Sequence, residues 1–382
     1  MLTLCVVVLT VPTPLSAEEA KNPPIQSYQV DSPFQANSTG IRVLRPDHYD
    51  KGESYRVLYV LPVVANDERK YGGGLLEILK HNYHNTHQLI CVAPEFTSKP
   101  WYADHSDNMG RQDESHLLKT VLPYIDSRYS TLKANKGRLL IGFSKSGWGA
   151  MTLLLRNPDV FYRVAAWDSG IRVDTGPIDE EDRAKRIKEY FGSRSNFEKH
   201  RISNLIKTKG KTLGHEERLF YYSTEGIRAQ GGVALHRQMI EAGMPHRYYY
   251  ETGRKHRWDS GWIPRAVAFL AGTTVVNLNA SSYDVYIGRR SAPYAHMLTQ
   301  GIKPGQKGWL GNPHPIGPCK ICSETHTRTE CIRAFKSDFL EAMTRNEDFK
   351  KAVLALKGKR LGCFFKPEDC HGDVIKAYIE AQ

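Results

Sequence analysis

Leu-Leu-Ile-Gly-Phe-Ser-Lys-Ser-Gly-Trp-Gly-Ala, residues 139–150, reads as a buried apolar strand, a sharp turn carrying Ser144, and the small-residue start of a helix. A serine on such a turn stands at the carboxyl end of its strand with the hydroxyl exposed, and the backbone N–H of Lys145 points into the same space. Gly142 lets the strand pass close to the turn, and Gly147 and Gly149 let the helix pack tightly on the sheet. The usual spacing is G-x-S-x-G. Here Ser146 takes the last position, where serine is small enough to serve.

Outward from this stretch, Arg56–Leu61 and Gln88–Pro94 are short apolar runs of the kind that strands buried on both faces show. Met151–Arg156 continues as an apolar helix that stops at Asn157-Pro158. Tyr162–Trp167, Arg218–Ser223 and His246–Glu251 read as further strands, and Trp262–Leu270 as a helix. This alternation predicts a doubly wound, mostly parallel α/β sheet, with reactive groups gathered at the carboxyl ends of its strands.

A nucleophilic serine needs a base, which in this fold follows the last strand. His256 lies there, in Gly253-Arg254-Lys255-His256-Arg257-Trp258-Asp259. A carboxylate must then hold the imidazole tautomer. Glu225, two residues past Ser223, is the first choice; Asp168, directly after Trp167, is the second.

Residues 25–272 resemble the putative-esterase branch of the α/β-hydrolases, which includes S-formylglutathione-hydrolase-like and feruloyl-esterase-like enzymes. The resemblance rests on Gly142–Ala150, Ala165–Ser169 and Gly253–Trp258. It implies ester hydrolysis through an acyl-enzyme, with a small-molecule ester as substrate and no cofactor. Two departures stand out. The family has His-Gly after its third strand where this chain has Pro62-Val63, and proline lacks an N–H, so Val63 or Val64 must join Lys145 in the oxyanion hole. The family's usual aspartate falls at or near Gly226, beside Glu225.

Trp101, Tyr102, Asp104 and His105 follow a strand end and are candidates to line the substrate pocket. His81, His84 and His87 swing across about 240° of a helix, too wide for one ion, and read as a surface helix end. Glu180–Glu189 is a charged helical stretch where the resembled family carries insertions over its active site.

At 382 residues the chain suits two domains, with a linker over 273–282 and a smaller α/β domain over 283–382 that opens on the strand Tyr283–Ile287. The net charge of +12 is diffuse: residues 281–382 hold 16 Lys and Arg against 11 Asp and Glu. Such a spread favours anionic partners only weakly. Five of the seven cysteines fall in this smaller domain. Cys319-x2-Cys322-x3-His326-x4-Cys331 is close to a zinc-knuckle spacing, and Cys363 with Cys370-His371 offers a further ligand set. The region also resembles a small bacterial and phage domain family of no known activity, on Asp284–Arg290, Leu310–Pro313, Gly358–Cys363, Lys366-Pro367 and Cys370–Val374. Its Arg289, Arg290, Lys359, Arg360 and Lys366 beside Gly-rich turns would suit phosphate, as in a nucleotide or nucleic-acid module.

Leu2–Thr10 with Pro14–Ala17 reads as a signal peptide over 1–17, too short to span a bilayer. It points to a secreted or periplasmic protein, while the absence of an early Lys or Arg keeps a cytoplasmic one open. The reading that results is a serine ester hydrolase fused to a small cysteine-bearing module. Its rival is a silent hydrolase scaffold in which the module does the binding.

Overall fold

A computed structural model describes residues 24–64, 70–169, 174, 178–279, 283–289, 302–366 and 368–380; the expected signal segment 1–17 and Arg290 lie outside them. Eight strands form the main sheet: β1 (Ile25–Val30), β2 (Thr39–Leu44), β3 (Arg56–Val60), β4 (Leu89–Pro94), β5 (Arg138–Phe143), β6 (Arg163–Trp167), β7 (Leu219–Ser223) and β8 (His246–Tyr250). Their spatial order is β1-β2-β4-β3-β5-β6-β7-β8. From β4 to β8 every pairing is parallel, while β1 pairs β2 and β2 pairs β4 antiparallel. The two antiparallel strands are absent from the sequence reading. β1 is half exposed and carries Gln26, Ser27 and Gln29 among its apolar residues, so it lacks the continuous apolar run that marks a central parallel strand.

Strand side chains alternate between two cores, which is why the central strands β3, β5 and β6 run apolar on both faces past their opening arginines. Val57, Tyr59, Ile90, Val92 and Leu140 face one core with the helix Ser144–Arg156 and the helices between Glu180 and Glu241. Leu58, Val60, Leu89, Cys91, Leu139, Ile141 and Phe143 face the other, covered by Gly74–Lys80 and Ile263–Ala271. This three-layer packing is the doubly wound arrangement the alternation predicts.

The expected linker 273–282 is corrected in part. Thr274–Asn277 forms β9, which pairs in parallel with β13 (Arg360–Cys363), while β10 (Val285–Tyr286) pairs with the other side of β13. A strand of four residues among small polar neighbours has too little pattern to read alone, and β13, more than 80 residues downstream, makes it one. The helices Arg328–Arg345, Glu347–Leu354 and His371–Glu380 cover this small sheet over a core that includes Phe335, Phe339, Leu361 and Ile375. The two parts are packed together: Arg163 Nη2 sits 3.0 Å from Glu380 Oε2, and Thr273 N–H donates to Glu380 Oε1 at 2.8 Å.

His84 and His87 are 2% and 8% exposed, against the surface helix end that spacing suggests. Burial, reinforced by Arg360 and Arg56, pushes the His87 imidazole down to about 4. No described helix is long and apolar enough to cross a membrane.

Candidate active site and candidate metal centre

Ser144 opens the helix Ser144–Arg156 with φ of 53°, in the left-handed region that a β-carbon disfavours. The strain is held by close packing on either side. A β-carbon on Gly142 would lie 2.5 Å from the Ser146 carbonyl, and one on Gly147 would lie 2.0 Å from Ser169 Oγ. Ser146, at the position glycine usually takes, is fully buried. It accepts from Phe143 N–H at 3.1 Å and donates to Phe143 O at 3.0 Å, tying the strand end to the helix start.

His256 stands beside this turn, its ring 5.0 Å from that of Phe143 and 6.1 Å from that of Tyr71. Its Nδ1 lies 2.6 Å from Asp168 Oδ2. Asp168 is 3% exposed, also has positive φ (51°), and its Oδ1 accepts from Thr224 Oγ1 at 3.3 Å. A carboxylate so placed fixes the ring with its proton on Nδ1, leaving Nε2 as the basic nitrogen.

The geometry therefore corrects the first choice of acid. Glu225 is exposed, and its Oε1 accepts from Gly253 N–H at 3.1 Å. It braces the loop that carries His256 and leaves the imidazole to Asp168. Both carboxylates follow adjacent parallel strands, but the β6 end turns Asp168 inward onto His256, while Glu225 lies two residues farther along in register.

Lys145 follows Ser144 in the helix, and its Nζ lies 5.5 Å from the Trp101 ring centroid. Val63 is buried and Val64 half-buried just beyond β3. Pro62 offers its carbonyl to the Tyr102 hydroxyl. Of the expected pocket residues, Trp101 keeps a partly open position, stacked on Tyr190 at 4.7 Å. Tyr102 is corrected, while Asp104 and His105 are half-buried and hydrogen-bonded to nearby residues of the chain. Tyr102 is fully buried against Phe96. Asp104 accepts from Ser115 N–H and Oγ at 2.9 and 2.6 Å. His105 Nδ1 accepts from Asp107 N–H at 3.1 Å. Tyr190 and Phe191 end the charged helix Glu180–Phe191, which thus reaches the Trp101 wall.

In the smaller domain, His314, Cys319, Cys322 and His326 bring one ligand atom each to within 4.8 Å of one another. The hairpin β11 (Gly317–Pro318) and β12 (Thr325–His326) sets Gly317 opposite His326, which brings Cys319 and His326 together. His314 Nε2 lies 2.9 Å from Asp338 Oδ2, which leaves Nδ1 toward Cys319 at 3.4 Å. Burial opposes a thiolate at Cys319, but the N–H groups of Cys322 and Ile321 and the His314 ring bring its thiol down to about 6.

Cys331 is corrected out of this set, and His314 enters in its place. Cys331 lies in the first turn of Arg328–Arg345, donates to His314 O at 2.9 Å and receives Asn312 Nδ2 at 3.1 Å, so it anchors the loop that delivers His314. Two thiols and two imidazoles at these separations can hold a metal ion, and a His–carboxylate pair of this kind orients metal-bound imidazoles.

Of the basic residues that would suit phosphate, Arg289, Arg360 and Lys366 have internal partners. Arg289 donates to Asn312 O and His314 O, Arg360 pairs with Asp284 at 2.7 Å, and Lys366 with Asp373 at 2.7 Å.

The fold is that of the α/β-hydrolases. Residues 35–190 match the family described as putative esterase, and residues 275–381 match a domain of unknown function, DUF4326. Esterase Rv1288 of Mycobacterium tuberculosis (strain ATCC 25618 / H37Rv) is 28% identical over 133 residues, covering 34% of this chain and 29% of that protein. An uncharacterised 12.4 kDa protein of Enterobacteria phage T4 is 43% identical over 55 residues, 14% of this chain. The chain thus spans 51% of the phage protein and under a third of the esterase. Among solved structures, a ferulic acid esterase superposes with a TM-score of 0.52 at 18% identity, covering 65% of this chain and 96% of that one. An S-formylglutathione hydrolase of Staphylococcus aureus gives 0.52 at 15%, covering 65% and 98%. These likenesses show the fold.

Proposed function

We propose that the chain hydrolyses small-molecule carboxylic esters through an acyl-enzyme on Ser144. The observation that carries this reading is the 2.6 Å contact of His256 Nδ1 with buried Asp168, beside a serine held at φ of 53°. His256 Nε2 takes the Ser144 proton as Oγ attacks the ester carbonyl, and returns it to the departing alcohol. Asp168 stabilises the imidazolium formed between these steps. The Lys145 N–H, with an N–H of Val63 or Val64, meets the oxyanion, and each such donor contributes on the order of 3 kcal/mol. Trp101 and Tyr190 form an aromatic wall for the acyl or alcohol portion.

The His314, Cys319, Cys322 and His326 set holds zinc in this reading. Two thiolates and two imidazoles fill a tetrahedral shell and leave no open position, which suits a structural ion. Zinc there would clamp the β11–β12 hairpin onto the helix Arg328–Arg345 through Asp338.

A fluorophosphonate probe tests the esterase: the intact protein carries one adduct that maps to Ser144, and Ser144→Ala abolishes both the adduct and hydrolysis of short acyl esters. An adduct at another residue, or activity that survives the substitution, overturns the proposal.

A further inference from the structure

A second Cys/His group lies apart from both sites. Cys363, Cys370 and His371 bring one ligand atom each to within 4.8 Å of one another, and all three are buried. Their placement follows from the topology. Cys363 ends β13, the central strand of the small parallel sheet, and His371 begins the helix His371–Glu380, so the group sits at the carboxyl end of the sheet, where α/β folds place their ligands.

The tautomer of His371 is set by its surroundings. Its Nε2 lies 2.7 Å from Ile287 O. A carbonyl can only accept, so Nε2 carries the proton and the lone pair of Nδ1 is left on the side of the two sulfurs. A backbone carbonyl holding the far nitrogen is a recurrent partner of metal-bound histidine.

The same three residues form part of the wall of a cavity of about 540 Å³. Its other walls are mainly apolar, with Ile316, Ile332, Phe364 and Phe365, and also include Arg289, Arg328 and Asp369. Among the described residues no fourth Cys, His or carboxylate joins the group, in contrast to the four-ligand set around His314. Four protein ligands close a zinc shell, while three leave a position for an exogenous ligand.

We propose that Cys363, Cys370 and His371 Nδ1 bind a second zinc ion whose fourth coordination position opens into this cavity. Two thiolates neutralise the ion's charge, and the apolar wall selects the body of the ligand that completes the shell. The ligand class is therefore a small, largely apolar molecule presenting one oxygen, nitrogen or sulfur donor. Ligand atoms around tetrahedral zinc stand about 3.4–3.8 Å apart, which the group reaches by modest side-chain closure.

The test uses the full-length protein purified without chelator. Elemental analysis is expected to give about two zinc ions per chain, falling to one in His371→Ala and to one in Cys319→Ser/Cys322→Ser, which strips both thiols from the four-ligand set. Replacement of both ions by cobalt(II) then gives a visible spectrum that sodium azide shifts in the wild type and in Cys319→Ser/Cys322→Ser. In His371→Ala azide leaves the spectrum unchanged. Retention of one zinc by Cys319→Ser/Cys322→Ser shows the open site filled whether or not the four-ligand set holds metal, so the two readings fail separately. The inference is overturned if Cys319→Ser/Cys322→Ser holds no zinc, if azide leaves the wild-type cobalt spectrum unmoved, or if Cys363 and Cys370 are isolated as a disulfide. These readouts need only the wild type and Cys319→Ser/Cys322→Ser, so a poorly folding His371→Ala protein would not blunt them.

Discussion

Asp168→Asn removes the charge that faces His256 while keeping the shape of the side chain. In the proposed reaction the imidazole becomes cationic as Ser144 attacks, and the carboxylate at 2.6 Å is its counter-charge. Charge centres about 4 Å apart at an effective dielectric near 20 attract by about 4 kcal/mol. Asparagine also weakens control of the tautomer, and a net hydrogen bond of this kind adds about 1 kcal/mol. At about 1.4 kcal/mol per factor of ten, the sum predicts a loss in kcat of roughly 10³–10⁴-fold. That matches the loss known for the equivalent change in serine proteases. Glu225→Gln is the control, since the amide oxygen still accepts from Gly253 N–H and the residue is exposed. It should change kcat by less than about threefold. Steady-state hydrolysis of p-nitrophenyl acetate, with thermal melts to verify folding, separates the two. Equal small losses, or a larger loss for Glu225→Gln, would refute the assignment of Asp168.

Acid should destabilise the fold through two buried imidazoles. Burial pushes both His87 and His116 down to about 4, below the 6.5 of an unfolded chain. Over that window the unfolded state binds more protons, so stability is full above pH 6.5, declines as pH falls, and levels off below about 4. At 1.36 kcal/mol per pKa unit each contributes up to about 3 kcal/mol, and urea titrations between pH 7 and 4 should show a shallower slope in His87→Leu. In the smaller domain, Cys319→Ser should release one zinc ion and lower the melting temperature, whereas Cys331→Ser should keep the ion; equal metal loss in both would restore Cys331 to the ligand set.

The turn that carries Ser144 and the loop that carries His256 were legible because each is a local pattern. Ser144 needs only the strand before it and the small residues around it, and His256 needs only its place after the last strand. The layer order was legible for the same reason, since strands buried on both faces leave a continuous apolar signature, as in Leu89–Pro94. The half-exposed β1 leaves none.

Tertiary structure alone decided which carboxylate meets His256. Asp168 and Glu225 follow neighbouring strands, lie 57 positions apart, and carry the same chemistry, so the choice rests on how the loop Glu251–Asp259 folds back over the sheet. It likewise decided which Cys and His side chains gather into the candidate metal site. Cys331 had the spacing, but helix geometry turns its sulfur onto the His314 carbonyl, while His314 enters from an irregular loop held by Arg289 and Asn312. The strand β9 exists only because β13 arrives from far along the chain to pair with it. Sequence by itself determines what a segment can be from its own side chains. Which segments meet is decided by packing, because burial and hydrogen bonding reward partners that no local pattern names.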